Sequence, residues 1–418
     1  GRYDVEFEER GIDYPIGYVR WTETRNLDAF LAIVESGQVK LEPLITHRYS
    51  IDEAPRAYEL LADGGRENRP LGMVLRYSGT LGRLPAVSSD MSSVIKPVSG
   101  PIAGLVGVGF IGAGSFARST LMPAFQRQGD ARLEQVVTAN GLSAFDAQKS
   151  FGFRRAGTDV DELLANPRIQ LVCIATRHDS HADLVVRALE AGKHVFVEKP
   201  LALNEAQLAR VIEANERAPG LVLVGFNRRF SPMADAIRHQ LTSRGPMMMF
   251  ARMNGGNLGN HWLNDERIGG GRMVGEGCHL VDLLSFFTDD QSIVSVEAQT
   301  PATTRRPQDY AVQLRFADGS IGIILYTSLG DVSMGHERIE VYSGGASAYI
   351  DDFIRGRVFC GGRSRKLKQR GRGHEQEVAA LVAAVKGARP SPIAFSTLVG
   401  VTRTTFEVHD ALAKRTAL

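Results

Sequence analysis

Four polar clusters in this sequence stand where chemistry could be done. The first is Gly112-Ala113-Gly114-Ser115-Phe116-Ala117, a G-x-G-x-x-A run that directly follows an apolar stretch and opens a helical pattern. Glycine at the first position permits a tight turn, and glycine at the second lets backbone approach a pyrophosphate. A small third residue lets helix and strand pack closely, and the helix N-terminus faces the negative charge. Gly112, Gly114, Ser115, Phe116 and Ala117 are therefore the expected dinucleotide cradle. Gly107-Val108-Gly109-Phe110-Ile111-Gly112 has the same spacing, but its variable positions belong in a buried strand. An acidic residue about 20 positions on, at the end of the second strand, would grip the ribose diol of NAD. That end reads Thr138-Ala139-Asn140-Gly141, with neither a carboxylate nor an arginine for the 2′-phosphate of NADP, and Glu134 sits at the wrong end of the strand. Asn140 and Ser143 could bond either group, so the cofactor is NAD or NADP.

The second and third clusters close two later strand patterns. Leu171–Ala175 runs into Thr176-Arg177-His178-Asp179-Ser180-His181, and His194–Val197 runs into Glu198-Lys199-Pro200. Ligands bind at the carboxyl ends of parallel strands in open α/β sheets. A lysine there can donate to a substrate oxygen and stabilise a developing alkoxide. The fourth cluster is Gly269-Gly270-Gly271 followed by an amphipathic helix with Glu276, His279 and Asp282. Residues three apart share a helix face. A histidine held between Glu276 and Asp282 would be oriented and kept basic, as a general base for a hydroxyl proton requires. A zinc site at Cys278, His279 and Asp282 is not expected, because adjacent helical side chains diverge and no second Cys/His cluster exists.

The elements that must hold these clusters are legible in the apolar patterning. Strand candidates at 105–111, 133–138, 171–175, 194–197 and 221–225 alternate with helical patterns at 115–128, 142–150, 159–165, 179–191 and 204–217. Such alternation predicts βαβ units in a doubly wound parallel sheet. Beyond about residue 226, strands at 247–253, 293–298, 311–316, 321–328 and 337–342 predict a mainly antiparallel, open sheet in an α+β domain. Helices are expected at 277–287, 374–387 and 397–413. Residues 1–80 form a small α/β block. Leu27, Phe30, Leu31 and Val34 recur at helical spacing before Gly37, Ser50–Glu53 is a capping box opening a helix that Gly64-Gly65 ends, and 71–77 is a strand. Residues 81–100, rich in Ser, Gly and Pro, read as a linker. The expected domains are thus 1–80, a linker at 81–100, a dinucleotide-binding domain at 101–225 and a substrate and oligomerisation domain at 226–418.

Composition narrows the function classes. The 418 residues carry 49 Lys+Arg against 47 Asp+Glu, a formal charge of +2, which gives no electrostatic case for a nucleic-acid or membrane-surface partner. Three widely spaced cysteines exclude a disulfide scaffold and a CxxC metal site. No apolar run approaches the roughly 20 residues of a membrane span. A cytoplasmic location is the expectation, with no metal. The charged start lacks an initiator Met, so the chain reads as a fragment or processed product.

Taken in order, the glycine turn, Ala-Thr-Arg-His with His181, Glu198-Lys199-Pro200, Gly-Phe-Asn-Arg-Arg-Phe at 225–230, the triple glycine and His279…Asp282 resemble the Gfo/Idh/MocA oxidoreductase family. The resemblance covers residues from about 102 to the end. It implies a Rossmann domain, a second α/β domain whose sheet often makes homo-oligomer contacts, and hydride transfer between a nicotinamide and a carbon of a sugar, polyol or nucleotide sugar. By position it implies that Lys199 contacts the reacting hydroxyl, that His279 is the acid/base, and that Thr176, His178 and Glu198 line the cofactor. Asn227, Arg228 and Trp262 are expected to face substrate. The family commonly has an aspartate four residues before the histidine, where this chain has Gly275 and, beside it, Glu276. Two other readings stay open: a cofactor-binding scaffold without catalysis, and a reductase of a non-sugar C=O or C=N bond. In the first block, Gly17–Thr22, Pro43–Tyr49 and Asp52–Tyr58 resemble the C-terminal end of zinc-type medium-chain alcohol dehydrogenases. That family's nucleotide turn and zinc cysteines are absent, so the block is expected to be catalytically inert, as in a bi-domain fusion, with His47 structural.

Overall fold

The computed structural model describes residues 19–62, 70–77, 104–218, 220–241, 245–259, 261–301 and 308–415. The chain divides into two compact units, Gly1–Ser93 and Val94–Leu418. In the first, α1 (Glu23–Glu35) is capped by Thr22, whose side chain accepts from the Arg25 N–H. β1 (His47–Ser50) pairs in parallel with β2 (Met73–Arg76), flanking α2 (Ala54–Ala62). Ser50 and Glu53 form the expected capping box. Leu27 and Leu31 on α1 are exposed, so this helix's apolar stripe finds little core among the described residues. The Gly64-Gly65 stop and the linker lie outside the described residues.

The second unit begins with the parallel sheet. Its elements are β3 (Val106–Ile111), α3 (Met122–Gln126, continuing a wider turn over Ala117–Leu121), β4 (Ala131–Val137), α4 (Gly141–Phe151), β5 (Arg155–Gly157), α5 (Val160–Ala165), β6 (Leu171–Ile174), α6 (His181–Glu190), β7 (His194–Val197), α7 (Glu205–Arg217) and β8 (Val222–Val224). The strand order is β5-β4-β3-β6-β7-β8, parallel throughout. Order therefore reverses between β3 and β6, and that switch point is where ligands enter such sheets. β3, β6 and β8 are buried over their whole length, as strands covered by helices on both faces must be. Gly107 and Gly109 lie inside β3. A Cβ on Gly107 would fall 1.7 Å from the Arg168 carbonyl oxygen, so this pair of glycines serves strand packing.

A helix absent from the sequence reading, α8 (Pro232–Leu241), leads into the second sheet. β9 (Met248–Asn254), α9 (Cys278–Phe287), β10 (Ile293–Gln299), β11 (Tyr310–Phe316), β12 (Ile321–Thr327), β13 (Glu337–Ser343), β14 (Ala346–Asp351), β15 (Arg355–Cys360) and β16 (Arg363–Lys366) follow, then α10 (His374–Val385) and α11 (Phe395–Arg415). The order is β10-β11-β12-β9-β13-β14-β15-β16, antiparallel except for the β12–β9 pair. β11 alternates strictly between buried and exposed, one face turned to the core. α9 is buried on every side and packs against α11 and the sheet. Met248, Leu325 and Tyr342 stand exposed on the opposite face. The strands β14 to β16 were not anticipated, because Gly-, Ser- and Arg-rich segments carry little β propensity of their own.

Candidate active site

The glycine turn is built by close approach. Gly112 has φ +96°, and a Cβ there would fall 2.4 Å from the Ala175 carbonyl oxygen at the end of β6. Glycine is needed for both reasons. A Cβ on Gly114 would meet nothing within 4 Å, because that side opens into a cleft of about 720 Å³. Ala117 is buried where the helix meets the sheet, while Ser115 and Phe116 stand at the lip. A free volume above the second glycine, at a helix start, fits a dinucleotide phosphate.

Thr176, Arg177 and His178 line the same cleft from the end of β6. His178 meets the Gly269 carbonyl through Nδ1 at 2.8 Å and stacks edge-on against Trp262 at 4.8 Å. Burial, with the charge of Lys199, holds its imidazole down to about 3, so it is neutral. Two residues expected at the cofactor do not line the cleft. His181 is fully buried, its ring wedged between the Pro200 and Thr176 carbonyls at 2.8 and 3.3 Å, and it lines no part of the cleft. Asn140 spends its side-chain oxygen on the Leu142 N–H and so caps α4. Short polar side chains at loop ends are taken by nearby backbone first. Arg118, one residue past the turn, is committed within the chain: it bonds the Ala113 and Ser143 carbonyls and Asp146.

Glu198 and Lys199 project from the end of β7 into the cleft. The Glu198 carboxyl packs so close to Gly225 that a Cβ there would fall 2.8 Å from its Oε1. Burial pushes this carboxyl up to about 7 against the pull of Lys199 and Arg228. Lys199 reaches across to the other lobe, where Nζ donates to the Gly275 carbonyl at 2.6 Å.

The segment before α9 carries the opposite wall. Arg272, only 1% exposed, donates from Nη1 to Glu276 Oε2 and to the Tyr326 hydroxyl, both at 2.8 Å. Tyr326 itself donates to Glu276. Burial opposes ionisation of Glu276, but Tyr326, Lys199 and Arg272 outweigh it and hold the carboxyl below its usual range. His279 lines the cleft with Nδ1 buried and unpartnered. Burial, then the positive charges of Arg228 and Lys199, hold its imidazole well below the usual range, so it is neutral. The expected clamp of two carboxylates on this ring does not form. Asp282 lies on the same helix but is fully buried away from the cleft. It accepts from Arg229 Nε at 3.0 Å and Nη2 at 2.6 Å, and Asp290 takes the rest of that guanidinium. A bidentate arginine is the stronger partner for a buried carboxylate.

Asn227 and Arg228 line the cleft from a short turn, Asn227–Phe230. Asn227 donates to the Arg372 carbonyl at 2.8 Å, and Arg228 is bidentate to Glu337 at 2.9 and 2.7 Å. Trp262 closes the mouth beside His178. Met253, His336, Arg372 and His374 also line the cleft, and the sequence reading found none of them. Their only signal was polar residues before a helix in Gly371-Arg372-Gly373-His374. Among the described residues no group of three metal-ligating side chains converges.

A Rossmann sheet whose switch point faces a lysine on its own rim and a neutral histidine from a second sheet domain defines a two-domain dinucleotide oxidoreductase architecture. Comparison with known proteins gives the family. Residues 106–226 match the oxidoreductase family with an NAD-binding Rossmann fold, and residues 246–348 match the Gfo/Idh/MocA C-terminal domain, together just over half of the chain. The chain belongs to the Gfo/Idh/MocA oxidoreductase family.

Among curated relatives, myo-inositol 2-dehydrogenase of Thermotoga maritima is 27% identical over 223 residues, 50% of this chain and 64% of that protein. Levoglucosan dehydrogenase of Pseudarthrobacter phenanthrenivorans is 27% identical over 209 residues, 47% of this chain and 53% of that protein. The chain thus spans between about half and two thirds of the length of these relatives. Among solved structures, an oxidoreductase domain protein from Kribbella flavida superposes with TM-score 0.66 at 21% identity, covering 75% of this chain and 98% of that one. Levoglucosan dehydrogenase in complex with NADH and levoglucosan superposes with TM-score 0.64 at 20% identity, over 74% and 97%. At such identities the superpositions establish the fold.

Proposed function

We propose that the protein is an NAD(P)-dependent dehydrogenase acting on a secondary alcohol of a sugar or polyol, a nucleotide sugar included. The observation that carries this reading is the convergence of Lys199 and His279, from different domains, on the cleft beside the Gly112–Ala117 turn. The names of the relatives, myo-inositol 2-dehydrogenase and levoglucosan dehydrogenase, support the substrate class. When bound along the glycine turn, the dinucleotide supplies the hydride acceptor or donor. The protein's own part is proton and charge handling. Neutral His279 takes the hydroxyl proton as the alcohol becomes a carbonyl, and returns it in reduction. The Lys199 ammonium stabilises the charge on the alcohol oxygen. Glu276, held ionised by Tyr326 and Arg272, fixes the wall next to Lys199. Asp282 acts only through the packing of α9 on Arg229.

The remaining assignments are part of the same proposal. Residues 101–225 bind the dinucleotide and 226–418 bind substrate. The face bearing Met248, Leu325 and Tyr342 supports homo-oligomer contact through the second sheet. A cytoplasmic location remains the expectation; among the described residues no helix is long and apolar enough to cross a membrane. The first unit is read as a catalytically inert remnant of a medium-chain dehydrogenase, a reading that rests on the sequence resemblance at 17–22, 43–49 and 52–58.

Nicotinamide absorbance tests the reading: purified protein is mixed with NAD or NADP and a panel of sugars and polyols. Reduction of one cofactor is expected, with Lys199→Ala lowering turnover by roughly 10²–10⁴, the range for losing an acid–base or oxyanion group. Turnover equal to wild type in Lys199→Ala and His279→Ala would overturn it.

A further inference from the structure

The side of the cleft lined by Arg228, Arg372 and His374, where His374 packs edge-on against Phe116 of the glycine turn at 5.6 Å, holds two guanidinium groups on one carboxylate. Among the described residues Glu337, buried at the start of β13, is the carboxylate that pairs with both arginines, and it is already shared. Its Oε2 accepts from Arg228 Nε at 2.9 Å; its Oε1 accepts from Arg228 Nη2 at 2.7 Å and meets His336 Nδ1 at 3.1 Å. Arg372 Nη2 stands 3.6 Å from the same Oε1, beyond hydrogen-bond distance, with 42% of its side chain exposed. Its guanidinium makes no hydrogen bond among the described residues, yet its backbone is fixed by Asn227.

The surroundings add to this charge. α10 begins at Gly373 with φ +92° and no side-chain cap. A Cβ on Gly373 would fall 2.3 Å from the Asn227 carbonyl, so the helix start is pressed onto the Asn227–Phe230 turn. His374 at that start lines the cleft, and burial, with Arg228 and Arg372, holds it down to about 4. Arg372 is also among the charges that disfavour a proton on His279, so its field reaches the reacting end.

Other charges in the cleft are engaged within the chain. Glu276 is used by Arg272 and Tyr326, Arg228 by Glu337, and Lys199 by the Gly275 carbonyl. Arg177 lines the cleft on the side of the glycine turn, where the dehydrogenase reading puts the dinucleotide phosphates. Among the described residues Arg372 has only the longer, 3.6 Å ion pair with the carboxylate that Arg228 already holds in two hydrogen bonds. A neutral sugar would offer this guanidinium only neutral hydroxyl acceptors, whereas a carboxylate would form a charge-assisted, fork-shaped pair of about twice the strength.

Resting on the dehydrogenase reading of this same cleft, we infer that the substrate is a carboxylated sugar, a uronate or aldonate, whose carboxylate binds Arg372 at the start of α10.

The test uses the full chain and matched pairs: glucuronate with glucose, galacturonate with galactose, gluconate with sorbitol. Cofactor-dependent turnover is measured alongside ligand-induced shifts in melting temperature with the dinucleotide present. At least one acid is expected to exceed its neutral counterpart by tenfold or more in kcat/KM. Arg372→Met should raise KM for that acid by roughly 10–100-fold and bring the ratio towards one, with Arg372→Lys in between. The affinity for NAD alone, read by fluorescence titration, should stay within twofold. Turnover that favours neutral sugars in wild type overturns the inference and leaves the dehydrogenase reading standing. So does loss of NAD affinity in Arg372→Met, which would make this arginine a cofactor-phosphate ligand. No turnover with any compound, but an acid-specific melting shift abolished by Arg372→Met, supports the carboxylate site and overturns the hydride-transfer reading. Absence of any acid-specific shift or turnover overturns the carboxylate site.

Discussion

Lys199 and Gly275 are joined across the cleft by a hydrogen bond of 2.6 Å, so the rim of the parallel sheet is tied to the segment that leads into the His279 helix. The acceptor is a backbone carbonyl at the position where the family resemblance places an aspartate. Gly275 also has no room for a larger residue. A Cβ there would fall 2.5 Å from Leu263 Cδ1 and 3.2 Å from both the Gly269 oxygen and His178 Cε1. The absent carboxylate is thus a packing choice, with Lys199 anchored by main chain instead.

Gly275→Asp should therefore fail to restore the family arrangement. Leu263 can swing, but the Gly269 backbone and the His178 ring cannot yield as cheaply. Overpacking costs about 1–3 kcal/mol. The expected result is a lower melting temperature and no gain in kcat; a variant as stable as wild type and faster would show that Lys199 prefers a carboxylate partner.

Asp282 offers a sharper separation of structure from chemistry. It and Arg229 are almost wholly buried and bonded through two donors, with Asp290, itself partly exposed, as the second acceptor. Removing one partner from such a pair typically costs about 3–5 kcal/mol, because the other charge stays buried. Asp282→Ala should lower unfolding stability by that order in chemical denaturation. If Asp282 oriented His279 directly, the same variant at a temperature where it stays folded would also lose kcat by orders of magnitude; a modest loss is expected.

These two cases show where the sequence was readable. The glycine turn, the Glu-Lys-Pro strand end and the capping box at Ser50 are local signals, because each follows from the geometry of a few consecutive residues. Partner choice is not local. Asp282 and His279 look paired along one helix face, but Arg229, 53 residues away, takes the carboxylate. Arg228 and Glu337 are 109 residues apart, and nothing in either neighbourhood names the other. Arg372 and His374 enter the cleft only because α10 folds back onto the Asn227–Phe230 turn. His181 and Asn140 erred the other way: polar residues at a sheet edge look functional, and backbone groups claimed them.

Glu198 should give the pH profile its visible limb. Its carboxyl is pushed up to about 7, while His279 and His178 are held well below their ordinary range and stay neutral across the working pH. Ionisation of Glu198 above pH 7 places a negative charge beside Lys199 and Arg228. The expected profile of kcat/KM inflects near pH 7, with no inflection near 6.5 from His279. Glu198→Gln should remove that inflection; a profile unchanged by the substitution would assign the limb to another group.

Glu377, on the first turns of α10, is fully buried and neither carboxyl oxygen has a partner. Burial, reinforced by Glu198 and Asp282, pushes its carboxyl well above the usual 4.5. The folded protein therefore keeps a proton that the unfolded chain releases once pH passes about 4.5. In that window the native state binds more protons than the unfolded state, so stability falls as pH rises, by about 1.4 kcal/mol per unit for one such group. Glutamine has nearly the same shape and does not titrate. Glu377→Gln should thus match wild type near pH 4.5 and gain stability over it as pH rises from there, read as denaturation midpoints at several pH values. A constant offset across that range would mean that Glu377 is ionised in the fold and finds its counter-charge in Arg228 or Arg229.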